Sequence, residues 1–109
     1  MNNDRLSHLL AFFEEDPDDP FNIYALATEY LKSDLTKSRV LFENLLQNHP
    51  DYLATYYHAA QLYFDLEEME LAKTTYLKGI ETATIQKKDK ALKELKGAYQ
   101  LFLDELTED

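Results

Sequence analysis

The chain has 109 residues, 45% of them hydrophobic and 29% charged, with a formal net charge of −10 and no cysteine. A chain of this length builds one modest core. The missing cysteine excludes disulfides, thiolate metal sites and cysteine nucleophiles, and the acidity opposes general nucleic-acid binding, because carboxylates repel phosphate backbones.

With only 2 Gly and 3 Pro, helices are favoured throughout. The first is expected from Asn3 or Asp4 to about Glu15, with Leu6, Leu9, Leu10 and Phe13 on one stripe. Asp16-Pro17-Asp18-Asp19-Pro20 breaks it, since proline disfavours helix in the residue before it. Asp19 can cap a second helix with Pro20 in its first turn, carrying Ile23, Leu26, Ala27, Tyr30 and Leu31. Ser33-Asp34 reads as a turn and Thr36 as the cap of a third helix, whose apolar face is Val40, Leu41, Phe42, Leu45 and Leu46. Asn48-His49-Pro50-Asp51 ends it. A fourth helix is expected from about Asp51 to Asp65, with Tyr52, Tyr56, Ala59, Ala60 and Tyr63 inward. After Glu67-Glu68, a fifth runs from about Met69 to Thr84 with Leu71, Ala72, Tyr76, Ile80 and Ala83. A sixth runs from about Asp89 to Leu106 with Leu92, Leu95, Tyr99, Phe102 and Leu103.

One pattern occurs twice. Ile23, Leu26, Ala27 and Tyr30 become Tyr56, Ala59, Ala60 and Tyr63 on adding 33 to each number, and Ser38 and Phe42 become Ala72 and Tyr76 on adding 34. A fixed period of this size marks a repeat architecture. These residues resemble the tetratricopeptide repeat: an aromatic, two residues, Leu-Gly, two residues, Tyr, then Ala, three residues, Phe, and a closing Pro. The first copy reads Ile23, Leu26-Ala27, Tyr30, Ser38, Phe42, Pro50. The second reads Tyr56, Ala59-Ala60, Tyr63, Ala72, Tyr76, with Thr84 in the place of the proline. Small residues at Ala27, Ala60, Ser38 and Ala72 suit a helix crossing, where larger side chains would push the backbones apart. Leu9, Phe12 and Pro17 fall where Phe42, Leu45 and Pro50 fall one period later, so the first helix resembles the second half of a preceding unit. Leu92, Leu95 and Tyr99 echo Tyr56, Ala59 and Tyr63, as in a cap. The chain also resembles small bacterial stand-alone proteins of this kind.

The resemblance implies an all-α, right-handed helical-hairpin solenoid forming a single domain over residues 1–109. It would hold repeats at about 20–52 and 53–86, with flanking helices at about 4–15 and 89–106. It further implies a module for protein–protein interaction, an adaptor that holds an extended or helical peptide in a concave aromatic groove. Carried over by alignment, the groove residues are Phe21, Tyr24, Thr28, Leu31 and Lys32 in the first copy, and Ala54, Tyr57, Gln61, Phe64 and Asp65 in the second. Exposed aromatics are favoured anchors for a bound segment; in so short an array the last helix is the element able to fold back and cover them. One variant of the family grips the carboxy-terminal carboxylate of heat-shock chaperones with Lys and Asn. Here Tyr24 and Thr28 stand at the leading Lys and Asn sites and His58 at a second Asn site, so that clamp is missing. The alternative is a structural scaffold that forms homo-oligomers, a homodimer for example, through Leu6, Leu10 and Phe13 left exposed on the first helix.

No residues read as catalytic, cofactor-binding or metal-ligating, so an enzyme is not expected. His8, His49 and His58 lie on separate elements without a second ligand at helical spacing. Asp16, Asp18 and Asp19 lack the glycine and closing Glu of a calcium loop. Lys87, Lys88, Lys90, Lys93 and Lys96 read as a solvated face. The acidity is concentrated in residues 1–72, with 14 Asp and Glu against 4 Lys and Arg, while residues 73–109 hold 7 of each. The amino terminus shows no basic segment leading into an apolar run, and no apolar run approaches the roughly 20 residues of a membrane helix. The expected setting is cytoplasmic, the expected partner a protein or peptide, with no nucleic acid and no membrane.

Overall fold

The computed structural model describes residues 3–107. Among them are six helices: α1 (Asn3–Glu15), α2 (Pro20–Tyr30), α3 (Leu35–Asn48), α4 (Ala54–Asp65), α5 (Met69–Gln86) and α6 (Asp89–Leu106). They form two compact units, one extending to Thr55 and the other beginning at Tyr56.

In the first unit, α2 packs on α1 and on α3. The start of α2 is locally encoded. The Asp19 carboxylate accepts from the Phe21 N–H at 2.9 Å, satisfying one of the amides that a helix start leaves open, and Pro20 occupies the first turn, where no N–H is needed. The Asn22 side-chain amide donates to the carbonyls of Phe12 and Asp16, each at 3.2 Å, and so ties the end of α1 to the start of α2. Arg5 of α1 reaches the buried carboxylate of Glu29 on α2 at 2.9 Å, and Lys32 meets the same group at 3.3 Å. Apolar burial centres on Ile23, Leu26, Ala27, Phe42 and Leu45.

Two expectations change here. Asp34, not Thr36, caps α3, accepting from the Lys37 N–H at 3.1 Å in extended backbone geometry. Val40 is 62% exposed. The buried set of α3 is Ser38, Phe42 and Leu45, and Val40 lies about 200° around the helix from Ser38 at roughly 100° per residue.

The fourth helix begins at Ala54 and not at Asp51. The Tyr52 N–H turns back to the His49 carbonyl and the Thr55 N–H to the Tyr52 carbonyl, so Tyr52 belongs to the connecting turn. In the second unit, Tyr56, Ala59, Ala60, Leu62 and Tyr63 of α4 are buried together with Ala72, Tyr76 and Ala83 of α5 and Leu95 and Phe102 of α6. Leu71, expected inward, is exposed, because the buried stripe of α5 runs through Ala72, Thr75, Tyr76, Gly79 and Ala83. A Cβ added at Gly79 would lie 2.6 Å from Tyr56 Cβ, so this glycine is what lets α4 and α5 approach so closely. Among the described residues, two helix ends carry a non-glycine residue in the left-handed region. Glu67 (φ 62°) follows α4 and Lys87 (φ 59°) follows α5, whose last residue, Gln86, lies two beyond the expected Thr84. In each case the next N–H returns to a carbonyl five residues back, Glu68 to Tyr63 at 2.9 Å and Lys88 to Ala83 at 3.0 Å, a Schellman termination.

Candidate protein-interaction surface

In the first unit, the residues expected on the binding face differ in availability. Phe21, in the first turn of α2, is 61% exposed. Tyr24, one turn on, is half-buried, its ring tilted against that of Tyr52 with centroids 5.7 Å apart. Burial raises the Tyr24 hydroxyl above its ordinary pKa, and the neighbouring Tyr52 adds to the rise. Thr28 is half-buried and spends its hydroxyl on the Ala25 carbonyl at 2.9 Å. Leu31 is half-buried at the end of α2. Ala54, the first residue of α4, is exposed.

In the second unit, Tyr57, Gln61 and Asp65 recur every fourth residue along α4 and are exposed, Tyr57 by 41%. That spacing puts them on one face of the helix. Phe64 is only half-buried, but its ring meets that of Phe102 on α6 edge-on at 5.8 Å. The last helix therefore does cover Phe64, and it leaves Tyr57 open. Behind them Tyr76 packs its ring against Tyr99 at 5.9 Å and Phe102 at 5.6 Å. Burial pushes the Tyr76 hydroxyl up in pKa, with further contributions from Tyr57 and Asp65, so these two residues stand within electrostatic reach of it.

The leading helix departs from expectation. Leu6, Leu10 and Phe13 are half-buried, on a helix that packs against α2. Phe12 is exposed instead and lines, with Arg5, His8 and Leu9, an open cavity of about 580 Å³. Among the described residues no three His, Asp or Glu side chains are grouped to hold a metal ion, and no helix is long and apolar enough to cross a membrane.

No protein-family model and no curated protein matches the chain. Solved structures do. The solution NMR structure of a tetratricopeptide repeat domain protein from Salinibacter ruber is 44% identical, with a TM-score of 0.75 over 80% of this chain and 89% of that one. A crystal structure of a tetratricopeptide repeat domain protein from the same organism is 42% identical, with a TM-score of 0.74 over 77% of this chain and 96% of that one. The chain belongs to the tetratricopeptide repeat family.

The tetratricopeptide repeat fold, all-α and built of helical hairpins, explains the doubled pattern. Ala27 and Ser38 in one copy, and Ala60 and Ala72 in the other, are all fully buried. Arrays of this fold are interaction modules in general, and that is the broad class of work to which this protein belongs. Sequence reasoning passed over Asn22, Glu29 and Gly79. A glycine inside a helical pattern was the available signal for Gly79. Nothing local distinguishes Asn22 or Glu29 from solvated polar residues, since Phe12 and Arg5, which they respectively meet, belong to α1.

Proposed function

We propose that this tetratricopeptide repeat protein is a non-enzymatic adaptor that binds an extended or helical segment of another protein. The faces concerned are those carrying Phe21, Tyr24, Thr28 and Leu31 in the first copy, and Ala54, Tyr57, Gln61, Phe64 and Asp65 in the second. The observation that carries this reading is the exposure of Phe21 and Tyr57 on helices whose other faces already supply the core. An aromatic ring left in water by a small domain has a burial free energy still to gain, and Tyr is among the residues that dominate interface energetics.

The test is selection from a displayed library of random decapeptides, followed by calorimetry. Selected peptides should lose about 1–2 kcal/mol of binding on Tyr57→Ala. The same substitution should lower stability far less than Leu26→Ala, for which about 2–5 kcal/mol is expected from a buried leucine. If Tyr57→Ala unfolds the protein as Leu26→Ala does, Tyr57 is a core residue and the reading fails.

A second reading, self-association as a scaffold, is supported by the exposed Phe12 beside Leu9. Light scattering over a range of concentrations, repeated with Phe12→Glu, tests it. A wild-type protein that stays monomeric removes it.

A further inference from the structure

Two outward helix faces combine apolar side chains with charge. On α1, Arg5, Leu9 and Phe12 line the open cavity, and Glu15 continues their row at helical spacing. Phe12 is exposed there and Leu9 half-buried. On α6, Lys93, Gly97, Leu101 and Asp104 form a similar row, away from the buried Leu95 and Phe102. Leu101 is 66% exposed, and a Cβ added at Gly97 would meet nothing within 4 Å, so this row holds a gap with an apolar side chain beside it. Both rows run from a cation at the N-terminal end to a carboxylate at the C-terminal end. Their surroundings strengthen one end of each. Residues 14–19 hold five acids and no Lys or Arg, and residues 87–96 hold five Lys against Asp89 and Glu94. Among the described residues, none of Glu15, Lys93 and Asp104 forms an ion pair. Arg5 gives its Nε to Glu29 and has further guanidinium donors beyond it.

Two rows of this polarity attract when laid antiparallel and repel when laid parallel. Aligned antiparallel with Phe12 opposite Gly97, they bring Leu9 to Leu101, Glu15 to Lys93 and Arg5 to Asp104. Each match holds to within one residue, a rise of about 1.5 Å. A second α1 is a poorer partner for α1, since it sets the five acids against Arg5 and Asp4, and it offers no glycine gap for the Phe12 ring. We infer that α1 of one copy docks antiparallel on α6 of a second copy, with Phe12 seated in the gap at Gly97 and the lysine run of α6 facing the acidic end of α1. This rests on the self-association reading and names its joint. The two faces differ, so a pair of copies keeps one unused face of each kind.

The test mixes two variants of the full chain, one of them 15N-labelled, and reads their masses by native mass spectrometry. Phe12→Glu spoils the α1 face and keeps the α6 face; Leu101→Glu does the reverse. Both residues are exposed, so the circular dichroism of each variant should match the wild type. Each change alone should weaken self-association about tenfold or more, as expected for loss of a buried apolar side chain. Mixed at a concentration where each alone is monomeric, the two should form a pair of unlike chains and nothing larger. Placing Lys93→Glu in the chain that carries Phe12→Glu should weaken that pair about fivefold, and Glu15→Lys in its partner should restore it. A mixture that stays monomeric, or a pair indifferent to Lys93→Glu or not restored by Glu15→Lys, overturns the joint. If Leu101→Glu associates as wild type does while Phe12→Glu does not, the joint falls and self-association through α1 stands. If the wild type is monomeric at every concentration, both fall.

Discussion

The hydroxyl of Ser38 donates to the backbone carbonyl of Ala27 at 2.7 Å, where α3 crosses α2 and both residues are fully buried. The last turn of α2 tightens there, the Leu31 N–H going to the Thr28 carbonyl at 3.2 Å, and Ser38 supplies a donor to the carbonyl one residue earlier. The small side chain thus serves close packing and also satisfies a buried acceptor. Ser38→Ala keeps the packing and removes the donor, so a loss of about 1–2 kcal/mol is expected by chemical denaturation. Ser38→Val adds bulk to the crossing as well and should lose more. The second copy, with Ala72 at this position, has no side-chain hydroxyl to lose there.

The two glycines should respond to alanine with opposite signs. A Cβ at Gly79 would meet Tyr56 Cβ at 2.6 Å, Tyr56 Cγ at 3.1 Å and Leu95 Cδ2 at 3.3 Å, whereas one at Gly97 would meet nothing within 4 Å. Gly97→Ala should stabilise the protein by about 0.5–1 kcal/mol, through helix propensity alone. Gly79→Ala gains the same propensity but forces α4 and α5 apart, and a net loss of about 1–3 kcal/mol is expected. Urea denaturation of the two variants side by side checks the sign.

The left-handed residues at the helix ends are sites for improvement. Glu67 and Lys87 hold φ near +60° with a Cβ attached, a conformation that glycine adopts without steric penalty. Lys87→Gly should raise stability by about 0.5–1 kcal/mol, and Glu67→Gly should act in the same direction. Thermal melts of the single and double variants measure the gains, which should add because the two sites end different helices.

Acid should weaken the fold through His58. The side chain is half-buried, and burial lowers its pKa below the ordinary 6.5. Above 6.5 the imidazole is neutral in both folded and unfolded chains and contributes nothing to pH dependence. As pH falls from 6.5 toward the folded value, the unfolded chain takes up the proton first, and folded stability declines; below the folded value the contribution is flat. Melting temperatures compared at about pH 7.5 and about pH 5.5 should therefore fall more for wild type than for His58→Gln.

The start of α2 and the repeat period were legible in the sequence, the first because it depends on neighbours along the chain and the second because the same pattern is written twice. Asp19 and Pro20 begin α2 by satisfying or dispensing with open amides within three residues. The paired Leu26-Ala27 and Ala59-Ala60 steps mark where small residues are needed. Helical periodicity defines a stripe only to within a residue or so, however, and the side that is buried depends on where the next helix arrives. Val40 and Leu71 therefore look outward despite their chemistry. The same holds for the binding face. The alignment to the family put Tyr24, Tyr57 and Phe64 in one class. Tertiary packing separates them, by setting Tyr52 from the turn before α4 against Tyr24, laying Phe102 of α6 on Phe64, and bringing nothing over Tyr57 that removes it from water.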